Sequence, residues 1–134
     1  MTHSSSGELP LYNEHDIVLS RQAVRRMAQE LGFSLVDQTK MVTAASELAR
    51  NALIYGGGGS LKWHVLNEGV KRGLRLVFED RGPGIPNLEL AMTDGWSSGT
   101  GLGLGLTGTR RLVNEFEIES SVGVGTRVTI TRWK

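Results

Sequence analysis

The chain of 134 residues has 15 basic and 14 acidic side chains, a net charge of +1 and 39% hydrophobic residues. This length and composition predict one domain with its own hydrophobic core. A balanced charge provides no broad field for holding nucleic acid or an anionic membrane, so we expect neither as a partner. Because cysteine is absent, disulfides and thiol chemistry are excluded.

The start of the chain lacks the apolar core of a signal peptide. We expect residues 1–7 to form a disordered tail and residues 8–134 to form the single domain. No apolar run approaches the ~20 residues that a membrane span needs. The simplest expectation is therefore a cytoplasmic protein.

The apolar pattern predicts a short strand at 9–12 followed by two helices. The first helix covers 14–31 and stops at Gly32. Ser34, with Asp37 three residues later, resembles a capping box and starts the second helix, which ends at Gly56. The apolar stripe of this second helix consists of Met41, Ala44, Ala45, Leu48, Ala52 and Tyr55.

Beyond the four glycines at 56–59, alternating apolar residues predict a strand at 61–65 and, after a loop at 67–73, a second strand at 73–80. The segment 87–100 has little periodicity and is predicted to be a mobile loop with at most one helical turn. A third helix is predicted at 101–112, and a closing antiparallel pair at 116–121 and 126–133. This order of elements predicts an α/β fold, a two-layer sandwich with helices on one face of a mixed, mainly antiparallel sheet.

Glu47 and Asn51 are four residues apart on the second helix, so their side chains share one face. Asn can offer a neutral oxygen to Mg²⁺, which prefers few protein ligands together with waters and phosphate oxygens. Glu can accept a proton from an attacking hydroxyl. The alternative is an ordinary solvated helix face, which is the more common setting for these residue types.

Asp80 ends the second strand of the hairpin, where Leu74, Leu76, Phe78 and Asp80 lie on one face. The acid is followed by Gly82 and Gly84, and such glycines favour close approach of the backbone to a ligand. The alternative for this segment is plain turn chemistry. For the later glycine cluster the alternative is a flexible connector, since a lone G-x-G-x-G is a weak signal.

Four stretches together resemble the GHKL superfamily of ATP-binding domains, the Bergerat fold. They are SELARNALIYGGG at 46–58, EDRGPGIP at 79–86, DGWSSGTGLGLGLTGTRRL at 94–112 and GVGT at 123–126. Within the superfamily the chain is most similar to the small anti-sigma-regulator-type serine/threonine kinases, in particular the stressosome switch kinases. The resemblance extends over about residues 16–133.

The resemblance implies a role for each matching residue. Asp80 would hydrogen-bond the adenine amino group, Gly82 and Gly84 would let the backbone approach the base, and Thr126 would line the adenine pocket. Glu47 would be the catalytic base, and Asn51 would bind both the nucleotide and Mg²⁺. The phosphate segment would consist of Gly101, Leu102, Gly103, Leu104 and Gly105 at a helix N-terminus.

The resemblance also implies a lid at 88–99 and contacts from arginines. Arg50, Arg110 and Arg111 would steady phosphates or a partner, although surface solubility explains each of them equally well. The chain has no lysine in a Walker-type loop, so that class of ATPase is unsupported.

The activity implied is phosphorylation of a STAS-domain antagonist or scaffold protein with ATP and Mg²⁺, in a partner-switching regulator. Release from that protein would free the kinase to activate a PP2C-type phosphatase or another output protein, by analogy within the fold family. One alternative is an anti-sigma factor with kinase activity. Another is a non-catalytic nucleotide-sensing module, which would need no base and is therefore disfavoured by Glu47 beside Asn51.

Overall fold

The computed structural model describes residues 6–85, 92 and 102–134, with the backbone only for 102–105. The order of its elements is the predicted one: strand, helix, helix, hairpin, helix, hairpin. The elements are β1 (Ser6–Leu11), α1 (Glu14–Glu30), α2 (Leu35–Ile54), β2 (Gly59–Glu68), β3 (Lys71–Asp80), α3 (Leu102–Arg110), β4 (Glu115–Ser121) and β5 (Gly125–Trp133).

The five strands form one sheet in the order β1-β2-β3-β5-β4. All four pairings among the described strands are antiparallel, whereas we expected a mixed sheet. Two of these pairings, β2 with β3 and β4 with β5, are hairpins, which are antiparallel by construction. The other two, β1 with β2 and β3 with β5, join strands that are separated along the chain by helices. The two-layer α/β sandwich itself is confirmed.

The core lies between the sheet and the helices. Leu74, Leu76 and Phe78 of β3 are buried, as their shared face predicts, and they meet the apolar stripe of α2. Phe116 and Ile118 of the edge strand β4 are partly buried against the same core. The most deeply buried side chains come from both layers and include Leu11, Ile17, Val24, Met41, Leu48, Leu61, Leu106 and Ile130.

Both long helices begin at capped positions. Asn13 precedes α1, and its side chain accepts a hydrogen bond from the Asp16 N–H at 2.9 Å. Ser34 caps α2 and accepts from the Asp37 N–H at 3.1 Å, as the sequence predicts. Gly32 has a φ of 84°, a conformation that glycine adopts without strain, and it turns the chain between the helices.

Strand β1 begins earlier than we predicted. Ser6 pairs with His64 and Gly7 with Trp63, so these two residues belong to the sheet and not to a tail. Their polar composition hides the strand, because pairing with β2 and not local propensity places them there. Among the helices described, none combines the length and apolar character that crossing a membrane requires.

An ion pair between Arg132 of β5 and Asp37 of α2 connects the sheet to the first turn of that helix. Arg132 donates from Nη2 to Asp37 Oδ1 at 2.7 Å and from Nη1 to the Leu112 carbonyl at 3.0 Å. The Arg132 side chain is only 15% exposed. Removal of Asp37 would therefore leave a largely buried guanidinium short of one partner.

We expect Asp37→Ala to lower the free energy of unfolding by about 1–3 kcal/mol. Chemical denaturation measures this directly. The matched control is Glu119→Ala, which removes the partner of Arg127 in an exposed ion pair and should cost less than about 1 kcal/mol. Equal losses in the two variants would contradict a special role for the Asp37 pair.

Candidate active site

Asp80 ends β3 directly beside the end of α2. Its Oδ1 accepts a hydrogen bond from the Gly82 N–H at 2.9 Å. A Cβ placed on Gly56 would lie 2.3 Å from the Asp80 Cγ. Any larger residue at position 56 would therefore collide with the Asp80 side chain. This explains why the first of the four consecutive glycines is a glycine, a steric requirement that we did not predict.

The half-buried carboxyl of Asp80 has a perturbed acidity. Burial raises the pKa of Asp80 above its ordinary value of 3.8, and backbone hydrogen bonds from Gly82 and Thr126 offset part of the increase. In the absence of a ligand, burial therefore makes the ionised form of Asp80 energetically unfavourable. A ligand that donates a hydrogen bond to the carboxylate would relieve that cost.

The raised pKa makes the stability of the unliganded protein depend on pH. An acid whose pKa is raised by folding stabilises the folded protein through its protonated form. This contribution to the free energy of unfolding is complete below the pKa of the unfolded state, and it is lost as the pH rises through the pKa of the folded state. Asparagine stays neutral throughout, so we expect Asp80→Asn to be more stable than the wild type at neutral pH. That advantage should shrink as the pH falls through the raised pKa of Asp80. Urea denaturation across this range tests the prediction, and a difference that is independent of pH would contradict it.

Gly82 and Gly84 lie close to protein backbone. A Cβ on Gly82 would lie 2.6 Å from the Gly56 Cα, and one on Gly84 would lie 2.4 Å from the Ser121 carbonyl oxygen. Gly84 also has a φ of 79°. The turn after Asp80 is therefore packed between the end of α2 and the hairpin of β4 and β5. This packing is itself sufficient to require both glycines.

Glu47 and Asn51 lie one turn apart on α2, as predicted. Glu47 is exposed, and Asn51 is half-buried. The Asn51 carbonyl accepts from the Tyr55 and Gly56 N–H groups, so the backbone at Asn51 is joined to the glycine that contacts Asp80. Helix geometry places Glu47 about 13 Å along the axis from Gly56. One helix thus connects the exposed Glu47 to the half-buried Asp80.

The Asn51 side chain also points to a ligand. Its Nδ2 is buried and has no hydrogen-bond partner among the described residues. A buried donor of this kind is costly unless an acceptor, such as a phosphate oxygen, binds it. The amide offers an oxygen as well as this nitrogen. The described residues hold no cluster of three or more His, Cys, Asp or Glu that could cage a metal. A single amide ligand fits Mg²⁺ that takes its remaining ligands from phosphate and water.

Thr126 lies opposite Asp80 on β5, and Ser120 lies opposite Thr126 on β4. The Ser120 Oγ is 2.8 Å from the Thr126 Oγ1 and accepts from the Ile85 N–H at 2.7 Å. Our sequence reasoning missed Ser120. The only signal in the sequence was that Ser120 continues the inward-facing alternation of Phe116 and Ile118. Its position beside Thr126 follows only once the register of β4 on β5 is known.

The predicted phosphate segment is described in part. Helix α3 begins at Leu102, close to the predicted start, so Gly103 and Gly105 lie in its first turns. The helix packs against α2, which carries Glu47 and Asn51. Gly101 and the predicted lid at 88–99, apart from Met92, lie outside the described residues, as do the side chains of Leu102 and Leu104.

Arg50 forms an ion pair within the fold. Its Nη1 contacts Glu14 Oε1 at 3.1 Å and so links the end of α2 to the start of α1. Arg110 is the last residue of α3 and Arg111 follows it, and both are exposed. A role for any of them toward phosphate or partner remains a prediction.

Comparison with known proteins identifies relatives of this chain. The chain is 45% identical over 123 residues to the serine/threonine-protein kinase RsbT of Bacillus subtilis, and the match covers 92% of each chain. It is 30% identical over 113 residues to an anti-sigma F factor of Clostridium kluyveri, covering 81% of this chain and 80% of the relative.

Solved structures of other proteins share the fold. The RsbU and RsbW domains of Rv1364c from Mycobacterium tuberculosis match with a TM-score of 0.66 at 21% identity, covering 96% of this chain and 33% of that one. The mycobacterial sensor histidine kinase MprB matches with a TM-score of 0.58 at 20% identity, covering 95% and 96%. At these identities the likeness concerns the fold alone.

The family model described as "Histidine kinase-, DNA gyrase B-, and HSP90-like ATPase" matches residues 36–134. The fold and this family match define a protein of the ATP-using class, and the GHKL resemblance is confirmed. The chain belongs to the family of histidine kinase-, DNA gyrase B- and HSP90-like ATPases. Within that family its enzyme class is serine/threonine-protein kinase.

Proposed function

We propose that this kinase transfers the γ-phosphoryl group of ATP, with Mg²⁺, to a serine or threonine of a STAS-domain antagonist or scaffold protein. The observation that carries the proposal is the connection through α2. The helix bears Glu47 and Asn51, and its end contacts the carboxyl of Asp80 through Gly56. A nucleotide lying along this helix would have its base at Asp80 and its phosphates near Asn51.

In this proposal Asp80 and Thr126 bind the adenine. The ionised Asp80 carboxylate accepts a hydrogen bond from the amino group, which compensates for its burial. Gly82 and Gly84 keep the backbone close to the base, in addition to their packing role. Gly101, Leu102, Gly103, Leu104 and Gly105 bind the phosphates in this proposal. The last four begin α3, and the N–H groups at the start of a helix favour an anion.

Asn51 is the residue that would hold Mg²⁺, through the oxygen of its side-chain amide. When bound, the ion neutralises phosphate charge. The rest of the chemistry belongs to the chain's own residues, because phosphoryl transfer depends mainly on positioning and charge.

Glu47 acts as the general base in this proposal. Its carboxylate accepts the proton of the substrate hydroxyl as that oxygen forms a bond to the γ-phosphorus. The bond between the γ-phosphorus and the bridging oxygen breaks, and ADP leaves. The exposure of Glu47 suits this role, since a protein substrate must bring its hydroxyl to the surface of the kinase.

After transfer, we propose, the kinase leaves the phosphorylated STAS protein and binds a PP2C-type phosphatase or another output protein. The 45% identity to the kinase RsbT supports this partner switching. A cytoplasmic location is part of the proposal, because ATP and such partners occur there.

Incubation with ATP, Mg²⁺ and purified STAS proteins, read by intact mass, tests the proposed reaction. We expect one of these proteins to gain the mass of a phosphate. ATP binding without phosphate on any protein tested would contradict the kinase reaction.

The 30% identity to an anti-sigma F factor supports a second candidate, a kinase that also binds sigma factor. Retention of a purified sigma factor by the immobilised chain would favour that candidate.

A further inference from the structure

Three polar side chains form a row across the ends of neighbouring strands. Asp80 on β3 pairs with Thr126 on β5, and Thr126 pairs with Ser120 on β4. Each lies two residues from a core position on its own strand, namely Phe78, Val128 or Ile118. Because side chains alternate along a strand, all three lie on the face of the sheet that the helices cover. We call Asp80, Thr126 and Ser120 the polar row.

Ser120 lies at the centre of three contacts. Its Oγ accepts from the Ile85 N–H at 2.7 Å, lies 3.2 Å from the Gly125 carbonyl oxygen, and lies 2.8 Å from the Thr126 Oγ1. A hydroxyl has one proton to donate and two lone pairs to accept with. The Gly125 carbonyl can only accept, and the Ile85 N–H can only donate.

One allocation of protons satisfies all three contacts. Ser120 donates its proton to the Gly125 carbonyl, and its two lone pairs accept from the Ile85 N–H and from the Thr126 hydroxyl. The only proton of the Thr126 hydroxyl is then used within the protein. Towards any ligand, the Thr126 Oγ1 can act only as an acceptor.

We propose that Ser120 is a specificity-determining positioning residue: it holds the Thr126 hydroxyl so that the polar row accepts hydrogen bonds from a base and donates none. The proposal rests on the nucleotide site proposed above and deepens it. An ionised Asp80 carboxylate also only accepts. The base that such a row selects is one with an amino group beside Asp80, as in adenine.

The row disfavours a base with a carbonyl at that position. Hypoxanthine carries an oxygen where adenine carries its amino group, and the sugar and phosphates of ITP are those of ATP. An oxygen facing two acceptors finds no donor, and binding is weakened when a polar group loses its water without gaining a hydrogen bond in exchange. Without Ser120, the Thr126 hydroxyl can rotate and donate to that oxygen.

The test is the ratio of the dissociation constants for ITP and ATP, measured by calorimetry with Mg²⁺ present. We expect the wild type to bind ATP more tightly. Ser120→Ala should lower the ratio about fivefold, the effect of one neutral hydrogen bond. Ser120→Thr keeps the hydroxyl and should restore the wild-type ratio. Ser121→Ala is the matched control, since Ser121 is the exposed neighbour on the opposite face of β4.

A second pair of variants asks whether Ser120 acts through Thr126. In a Thr126→Val background, Ser120→Ala should leave the ratio unchanged, because the hydroxyl that it orients is gone. A purely structural role would instead weaken ATP and ITP alike, with no change in ratio. Thermal unfolding of each variant identifies any that fail to fold.

The outcomes separate the two proposals. A ratio that falls in Ser120→Ala and returns in Ser120→Thr supports the role of Ser120. ATP binding to the wild type with a ratio that Ser120→Ala does not change overturns that role and leaves the nucleotide site standing. A folded wild type that binds neither nucleotide overturns the nucleotide site and, with it, the inference about Ser120.

Discussion

Glu47→Gln should slow phosphoryl transfer to the protein substrate by about 10²- to 10⁴-fold, the usual contribution of a general base. Glutamine keeps the size of the side chain but cannot accept the substrate proton. Because Glu47 is exposed on α2 and lies about 13 Å from the end that contacts Asp80, ATP affinity should change less than about twofold. The measurements are single-turnover transfer to the STAS protein and calorimetry with ATP.

Glu30→Gln supplies the matched control, since Glu30 is an exposed glutamate at the end of the other long helix, α1. It should retain the wild-type transfer rate. A Glu47→Gln enzyme that transfers phosphate as fast as Glu30→Gln would exclude Glu47 as the base and would support the alternative, an ordinary solvated helix face. Loss of ATP binding in Glu47→Gln would instead assign the residue to the nucleotide.

Local periodicity is sufficient to predict most of the fold. The alternation at Leu74, Leu76 and Phe78 predicts both the strand and its inward face, and it places Asp80 at the end of that row. The capping residue Ser34 and the apolar stripe that follows predict α2 to within a few residues. These features depend on neighbours in sequence, and such neighbours can be judged from the sequence itself.

Contacts between distant residues could not be predicted in this way. Gly56 lies against Asp80, and Ser120 lies beside Thr126, because the end of α2 and the register of β4 bring them together. Register follows from the packing of a whole sheet face and not from the residues of one strand. The same reason explains β1, whose residues Ser6 and Gly7 are held by β2.

The steric contacts change how the glycines are interpreted. From the sequence we predicted that Gly82 and Gly84 let the backbone approach a ligand closely. In the structure, the atoms nearest to a Cβ at these positions are backbone atoms of Gly56 and Ser121. Packing within the protein and the proposed approach to the base thus both require glycine in the same turn. A substitution at either glycine would therefore disturb the fold and the proposed base site together, so these positions make poor tests of nucleotide binding.

Asp80→Asn makes a cleaner test of where the base binds. The replacement keeps an oxygen that can accept from the Gly82 N–H but removes the charge and places an amide donor in the site. A hydrogen bond to a charged group contributes about 1.5–3 kcal/mol, so we expect ATP to bind about 10- to 150-fold more weakly. Calorimetry with ATP and Mg²⁺ gives the dissociation constant.

Two observations separate this loss from unfolding. Burial makes the charge of Asp80 unfavourable in the unliganded protein, so Asp80→Asn should unfold at a higher temperature than the wild type near neutral pH while it loses ATP. Glu79→Gln is the matched control, because Glu79 is on the opposite face of β3 and contacts Lys62 Nζ at 3.1 Å. It should bind ATP like the wild type. Equal ATP affinity in Asp80→Asn and Glu79→Gln would mean that the base does not bind at the end of β3, because a site that uses the carboxylate cannot lose its charge without losing affinity.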